Sequence, residues 1–268
     1  MIQRILIPAC CACLALPLGA TEPLADPVTA RVLPGWVQPD GTRVAALQLT
    51  LKSGWKTYWR APGDAGIPPT FSWSDSQNLG NVAISWPTPK VFEQNGMRSI
   101  GYDRELTIPL TIAPTDPEQP VQLRAVMDLG VCSDICMPYR LNFDETLDGT
   151  ETRPSPAIAA ALAQRPYSAN EAGVTAASCR IEPTSDGLRI EARIAMPSAG
   201  KGEIMVIEPG RADIWVSEAD TRRDGGEVIA VSEMVHVSGD PIALDRSAIR
   251  LTVLGSKHAV DVQGCTPG

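Results

Sequence analysis

The chain has 268 residues, which allows one large or two modest domains. Its 31 acidic residues outnumber its 23 basic ones, for a formal net charge of −8, and this excludes the electrostatic footprint of a nucleic-acid-binding protein or of one held on an anionic membrane surface. With 24 prolines and 22 glycines punctuating short alternating runs, and almost no sustained helical period, the sequence predicts an all-β protein.

The chain opens with Met1-Ile-Gln-Arg4, then an apolar run over 5–18, then Gly19-Ala20. This is the form of a secretory signal peptide over residues 1–20, cleaved after Ala20 and too short for a membrane anchor. Cleavage would remove Cys10, Cys11 and Cys13; lipidation of one of them is the alternative. No later stretch approaches the ~20 apolar residues that a membrane-spanning helix needs. The mature chain is therefore expected to be exported, without membrane insertion, to a compartment where disulfides persist.

Residues 28–148 read as a sandwich of short strands. The run 43–51 alternates cleanly after the turn Pro39-Asp-Gly41, and 106–112 alternates too, with Pro109 arguing for an edge strand or a bulge. Between them lie Trp55, Trp59, Trp73 and Trp86. Four tryptophans so close together could stack sugars, but in a β-sandwich such aromatics more often pack the core or its rim.

Next comes an alternating run at 121–127 and then Asp128-Leu-Gly-Val-Cys132-Ser-Asp-Ile-Cys136-Met-Pro138. Pro138 is expected to interrupt the ladder before 141–143 resumes it, which puts Cys132 and Cys136 at a strand–turn–strand corner. A crosslink stabilises more as its loop lengthens; this tiny loop gives roughly 2 kcal/mol, against about 4.5 kcal/mol for a bridge between Cys179 and Cys265. The short pair is the poorer staple and reads as a redox-active dithiol/disulfide, since exposed or strained bridges are the exchanging kind.

Residues 149–170 read as a linker with one short helix: Ser155 at the cap, Pro156 at the first helical position, an alanine-rich run, and Pro166 as the stop. Residues 171–268 repeat the strand pattern at 187–194, 203–207, 213–216, 227–231, 249–254 and 259–262, with turns at Ser185-Asp-Gly187 and Asp224-Gly-Gly226. Cys179 and Cys265 bracket this second domain and most simply form a structural disulfide.

Three stretches carry a family resemblance: Gly54-Trp-Lys-Thr-Tyr-Trp-Arg60, the run from Phe92-Glu-Gln-Asn-Gly96 through Tyr102 to Pro109, and Val131-Cys-Ser-Asp-Ile-Cys-Met-Pro138. Through them, residues 30–148 resemble the N-terminal periplasmic domain of the thiol–disulfide transporter DsbD. They resemble more closely the matching region of the suppressor-of-copper-sensitivity protein B. The resemblance implies two immunoglobulin-like sandwich domains in the periplasm. It also implies a Cys132–Cys136 pair that relays electrons between a membrane-embedded thiol–disulfide transporter and exported thioredoxin-like proteins. Relatives continue into a membrane segment and a thioredoxin-like domain; this chain ends at Gly268 with neither, so electrons are expected from another polypeptide. The spacing Cys-x3-Cys is also shorter than in the DsbD domain.

By the same analogy a loop shields the pair until a partner docks, with Phe92 as the lid aromatic and Trp55 and Tyr58 lining the pocket; ordinary core or rim packing is the alternative for all three. Asp128 and Asp134 flank the cysteines in sequence with no lysine or histidine beside them. Negative neighbours raise a thiol's pKa, so the site is expected to be passive until a partner docks. A copper(I) reading of Cys132, Cys136, Met127 and Met137 rests on their soft sulfur donors. No phosphate loop, dinucleotide fingerprint or Gly-x-Ser-x-Gly elbow occurs in a suitable context, so no cofactor is expected. A non-catalytic binding role for the second domain stays open, as does whether the chain is itself an oxidoreductase.

Overall fold

A computed structural model describes residues 26–64, 66–94 and 96–268; the signal peptide expected at 1–20 lies outside the described residues. The first ten strands are β1 (Val28–Val37), β2 (Arg43–Leu51), β3 (Lys56–Tyr58), β4 (Thr70–Ser72), β5 (Leu79–Ile84), β6 (Lys90–Gln94), β7 (Met97–Asp103), β8 (Glu105–Pro114), β9 (Val121–Cys132) and β10 (Cys136–Leu147). They form two sheets, ordered β1-β2-β8-β5 and β10-β9-β3-β7-β6, with β4 also paired to β9. Alternation places Ala45, Leu47 and Leu49 of β2, Ile108 and Leu110 of β8, and Leu123, Ala125 and Met127 of β9 in one shared core.

Two sequence expectations about proline are corrected. Strand β8 is internal, flanked by β2 and β5. Pro109 is tolerated because β5 ends at Ile84, opposite Leu110. The Pro109 carbonyl accepts a hydrogen bond from the Ser85 amide at 2.9 Å, so the position of the missing donor faces the side on which β5 has just given out. Likewise Pro138 does not interrupt its strand but sits in the ladder opposite Gly130. Strand β10 lies at the sheet edge, where a lost donor need not cost a ladder bond.

The helix α1 (Pro156–Ala163) begins at the expected proline, but the Ser155 hydroxyl makes no capping bond; its carbonyl instead accepts from the Ala159 amide at 2.9 Å. The helix docks on the first domain, where Ile158 packs on Val44 and Ala46 of β2. That contact explains why β2 is buried on both faces over most of its length.

The remaining strands are β11 (Tyr167–Ser168), β12 (Ala176–Pro183), β13 (Leu188–Ala195), β14 (Ile204–Glu208), β15 (Ile214–Val216), β16 (Asp220–Asp224), β17 (Glu227–His236), β18 (Arg250–Leu254), β19 (Ala259–Gln263) and β20 (Thr266–Pro267). They form sheets ordered β11-β19-β18-β14 and β15-β17-β13-β12-β20, with β16 also paired to β17. The described residues are therefore all-β, two immunoglobulin-like sandwiches with one short helix, as expected from the sequence.

The sheet containing β14, β18 and β19 works on both faces. Met205, Ile207, Leu251, Val253, Val260 and Val262 enter the second core, while the alternate residues Ile204, Val206, Leu254 and Ala259 pack against the first. A half-buried polar set crosses the same boundary: Arg60 forms two hydrogen bonds to the Glu208 carboxylate, at 3.0 and 2.9 Å, and Arg98 pairs with Glu218. The first domain supplies both cations and the second both anions.

Candidate functional site

Cys132 ends β9 and Cys136 begins β10, and the two are direct cross-strand partners closing the turn Ser133-Asp-Ile135. They are joined as a disulfide. On β9 the odd-numbered residues 121–131 face the core, so Cys132 lies on the outer face of the sheet. The two sulfurs are unlike in access: Cys132 is 3% exposed, whereas Cys136 is exposed, as are Asp134 and Ile135 in the turn before it.

The ladder extends this pair into a row across four strands: Cys136 of β10, Cys132 of β9, Lys56 of β3 and Asp103 of β7 are successive register partners. Neighbours in such a row share a face and lie close together. Two residues along, Pro138 pairs with Gly130 and Tyr58 with Gly101, and the Tyr58 ring lies against Gly130. Gly130 is needed there because any Cβ would come within 2.8 Å of the Tyr58 ring and within 2.7 Å of Ile67. With no side chain at 130, the Tyr58 ring lies flat enough for its hydroxyl to donate to Cys136 Sγ at 3.1 Å. Burial raises the Tyr58 phenol above its ordinary pKa, which keeps it a donor.

Beside Cys132 opens a groove of about 780 Å³ lined by Trp55, Lys56, Phe92, Glu93 and Asp134, among others. Phe92 belongs to the β6–β7 hairpin and pairs with Ser99. The Lys56 ammonium lies 5.3 Å from the centre of the Phe92 ring and donates to Ser99 Oγ at 3.3 Å. Burial lowers the Lys56 pKa. The residues singled out in the sequence thus come together: Phe92 and Trp55 flank Cys132, and Tyr58 touches Cys136. Phe92 sits on the Cys132 side and leaves Cys136 facing solvent.

The charge around the pair differs from what sequence neighbours suggest. Asp128 is held by its cross-strand partner Arg140 through bonds of 2.6 and 2.9 Å, and the hydrogen bond from Arg140 lowers its pKa. Lys56, remote in sequence from the cysteines, stands next to Cys132 through strand pairing. The expectation of an anionic, lysine-free environment is therefore corrected: one carboxylate is neutralised and one cation is added.

The soft-donor set proposed for copper(I) is not assembled. Met127 is buried in the core on the opposite face of β9, and Met137 is paired to the inward-facing Val131 rather than to Cys132. Strand alternation turns both away from the sulfurs. Among the described residues no group of three or more His, Cys, Asp or Glu side chains is placed to hold a metal. The four tryptophans do not form a platform either: Trp59 and Trp86 are buried, and Trp73 stacks on Phe71 at 5.3 Å.

Cys179 and Cys265 form a second disulfide, which ties β12 to the segment before β20 across a separation of 86 residues. Cys179 is fully buried. Three residues of the first site were missed in the sequence, namely Lys56, Gly130 and Ile67. Only Gly130 carried a local signal, being a lone glycine inside a strand pattern, which marks close approach by another group.

The family model for the N-terminal region of the thiol:disulfide interchange protein DsbD matches residues 25–147. The N-terminal periplasmic domain of ScsB from Proteus mirabilis superposes with a TM-score of 0.68 at 20% identity, over 93% of this chain and 97% of that one. The reduced N-terminal domain of DsbD from Neisseria meningitidis matches at 19% identity over 44% of this chain and 86% of that one, with a TM-score of 0.29, too low to bear on the fold. No curated protein sequence matches the chain. Among the described residues no helix is long and apolar enough to cross a membrane.

Proposed function

We propose, on the premise that residues 25–147 are a DsbD N-terminal-like domain of the thiol–disulfide interchange family, that this chain is a periplasmic electron relay. In this reading Cys132–Cys136 exchanges with a membrane-embedded thiol–disulfide transporter on one side and with exported thioredoxin-like proteins on the other. The observation that carries it is the placement of the bridge. It closes the three-residue turn of an edge hairpin, adds little to the fold, and offers Cys136 to solvent while Cys132 is covered.

The exchange runs in two balanced steps. A partner thiolate attacks Cys136 Sγ, forming a mixed disulfide as the Cys132–Cys136 bond breaks, and Cys132 leaves as a thiolate that takes up a proton. The partner's second thiolate then attacks its own sulfur in the mixed disulfide, and Cys136 leaves as a thiolate. Two electrons pass to the cysteine pair and the partner is oxidised to a disulfide; the reverse sequence discharges the pair. Tyr58 stabilises the departing Cys136 sulfur through its hydroxyl, and Lys56 offers positive charge on the Cys132 side. Trp55 and Phe92 limit approach to Cys132.

The test is a redox titration of the protein against glutathione mixtures, with free thiols trapped and located by mass spectrometry. The expected result is a two-electron couple at Cys132–Cys136, with Cys179–Cys265 oxidised throughout. If the short bridge resists reduction as the long one does, the relay reading is wrong.

A further inference from the structure

Strand β3 is only three residues long, and within two residues of its end the chain touches the second domain. Tyr58, its last residue, donates to Cys136 Sγ. Trp59, next in the chain, is fully buried, and its amide is bonded to the Ile100 carbonyl at 2.9 Å. Arg60 stacks its guanidinium on the Trp59 ring at 4.0 Å. It also donates two bonds to the Glu208 carboxylate and one to Thr252 Oγ1 at 3.1 Å, with Asp261 at 3.8 Å. A contact on the reactive sulfur and a charged clamp owned by the other domain therefore lie almost side by side in the chain.

The clamp is built rather than incidental. The Arg60 and Glu208 side chains are 13% and 20% exposed, so solvent screens them less than a surface pair. Thr252 and Asp261 come from neighbouring strands β18 and β19 and are themselves register partners, and Asp261 is held in turn by Arg250. The fork of Arg60 fits a carboxylate in one orientation, which a lysine would not reproduce.

We propose that the second domain is a positioning element for the disulfide: Glu208, with Thr252 and Asp261, fixes Arg60 and so holds Tyr58 in place on Cys136. The inference rests on the exchange reading of the first domain, and it gives the second domain a part in the chemistry. Arg60 and Glu208 act through Tyr58 and touch neither sulfur.

The experiment uses the full chain and reads the pH dependence of Cys136 alkylation in protein with Cys132–Cys136 reduced. Glu208→Gln is expected to slow Cys136 alkylation at neutral pH roughly three- to ten-fold, in the same direction as Tyr58→Phe. The double variant is expected to be no slower than Tyr58→Phe alone, because both remove the same contact. Asp261→Asn, a more distant partner, should give a smaller change; it also serves if Glu208→Gln does not fold. Glu218→Gln breaks the other interdomain pair, with Arg98, and should leave Cys136 reactivity unchanged while weakening the interface. A loss common to Glu208→Gln and Glu218→Gln would mean a merely structural role and would overturn the proposal, as would additive effects of Glu208→Gln and Tyr58→Phe. The two readings fail separately. A wild-type bridge that cannot be reduced defeats exchange itself, whereas a normal couple indifferent to Glu208 and Asp261 defeats only the coupling.

Discussion

The Tyr58 hydroxyl lies 3.1 Å from Cys136 Sγ, so the solvent-facing sulfur of the hairpin disulfide already has a donor in the oxidised state. The contact exists because β3 and β10 lie on either side of β9, with a glycine at 130 between them. When Cys136 carries charge, the same hydroxyl is the nearest group to stabilise it. We predict that Tyr58→Phe raises the Cys136 thiol pKa in the reduced protein by roughly one unit, the equivalent of losing about 1.5 kcal/mol of hydrogen bonding to a charged sulfur. The rate of alkylation against pH measures it, and an unchanged midpoint would show that the contact does not act on the thiolate.

Gly130→Ala tests the packing beneath that contact. Its Cβ would meet Ile67 Cβ at 2.7 Å and the Tyr58 ring at 2.8 Å, so the ring must lift or Ile67 must move. Overpacking of this kind costs about 1–3 kcal/mol. Urea denaturation should show that loss, accompanied by the Cys136 reactivity of Tyr58→Phe; wild-type reactivity would mean that the ring has another seat.

Phe92→Ala opens the groove on the Cys132 side, where the ring also sits over the Lys56 ammonium. Reduction of the bridge by a small dithiol should become several-fold faster. Equal rates in the two proteins would reduce Phe92 to rim packing.

The two disulfides should differ as staples. Replacing Cys179 and Cys265 together by serine should cost about 4 kcal/mol, because the bridge closes a loop of most of a domain, against at most about 2 kcal/mol for the same change at Cys132 and Cys136. Denaturant midpoints of the two double variants give the comparison; a reversed order would make the hairpin bridge the structural one.

Alkaline pH should destabilise the fold through two phenols. Burial raises the pKa of Tyr102 well above its ordinary value, and that of Tyr58 as well. The unfolded chain ionises first, near pH ~10, and from there it binds fewer protons than the folded chain. Stability is therefore complete below that point and falls as pH rises towards the folded-state values. Denaturant midpoints should drop between pH ~10 and ~11, with a shallower drop in Tyr102→Phe, whose hydroxyl otherwise donates to the Pro87 carbonyl at 2.7 Å. A flat profile would contradict the assignment.

Much of this architecture is written in local pattern. The period-two runs at 43–51 and 121–127, the turns at Asp224-Gly-Gly226 and Pro39-Asp-Gly41, and the proline-started helix at 156 each depend on a few adjacent residues, and each lies where those residues place it. The cysteine spacing alone placed Cys132 and Cys136 together, because three residues are too few to carry a strand out of register. Prolines 109 and 138 misled for a reason outside the local chain: whether a missing donor matters depends on where the neighbouring strand ends, and that is a property of the sheet.

Which distant residues share a face is a matter of strand register and domain packing. Lys56 stands beside Cys132, and Met127 lies behind it in the core. Tyr58 reaches Cys136 across a separation of 78 residues, and Arg60 meets Glu208 across 148. No local propensity encodes such pairings; they follow from the simultaneous burial of many apolar faces. The reactive pair and its turn were legible in a dozen adjacent residues, whereas the charges and the hydroxyl around it come from strand register within the first sandwich.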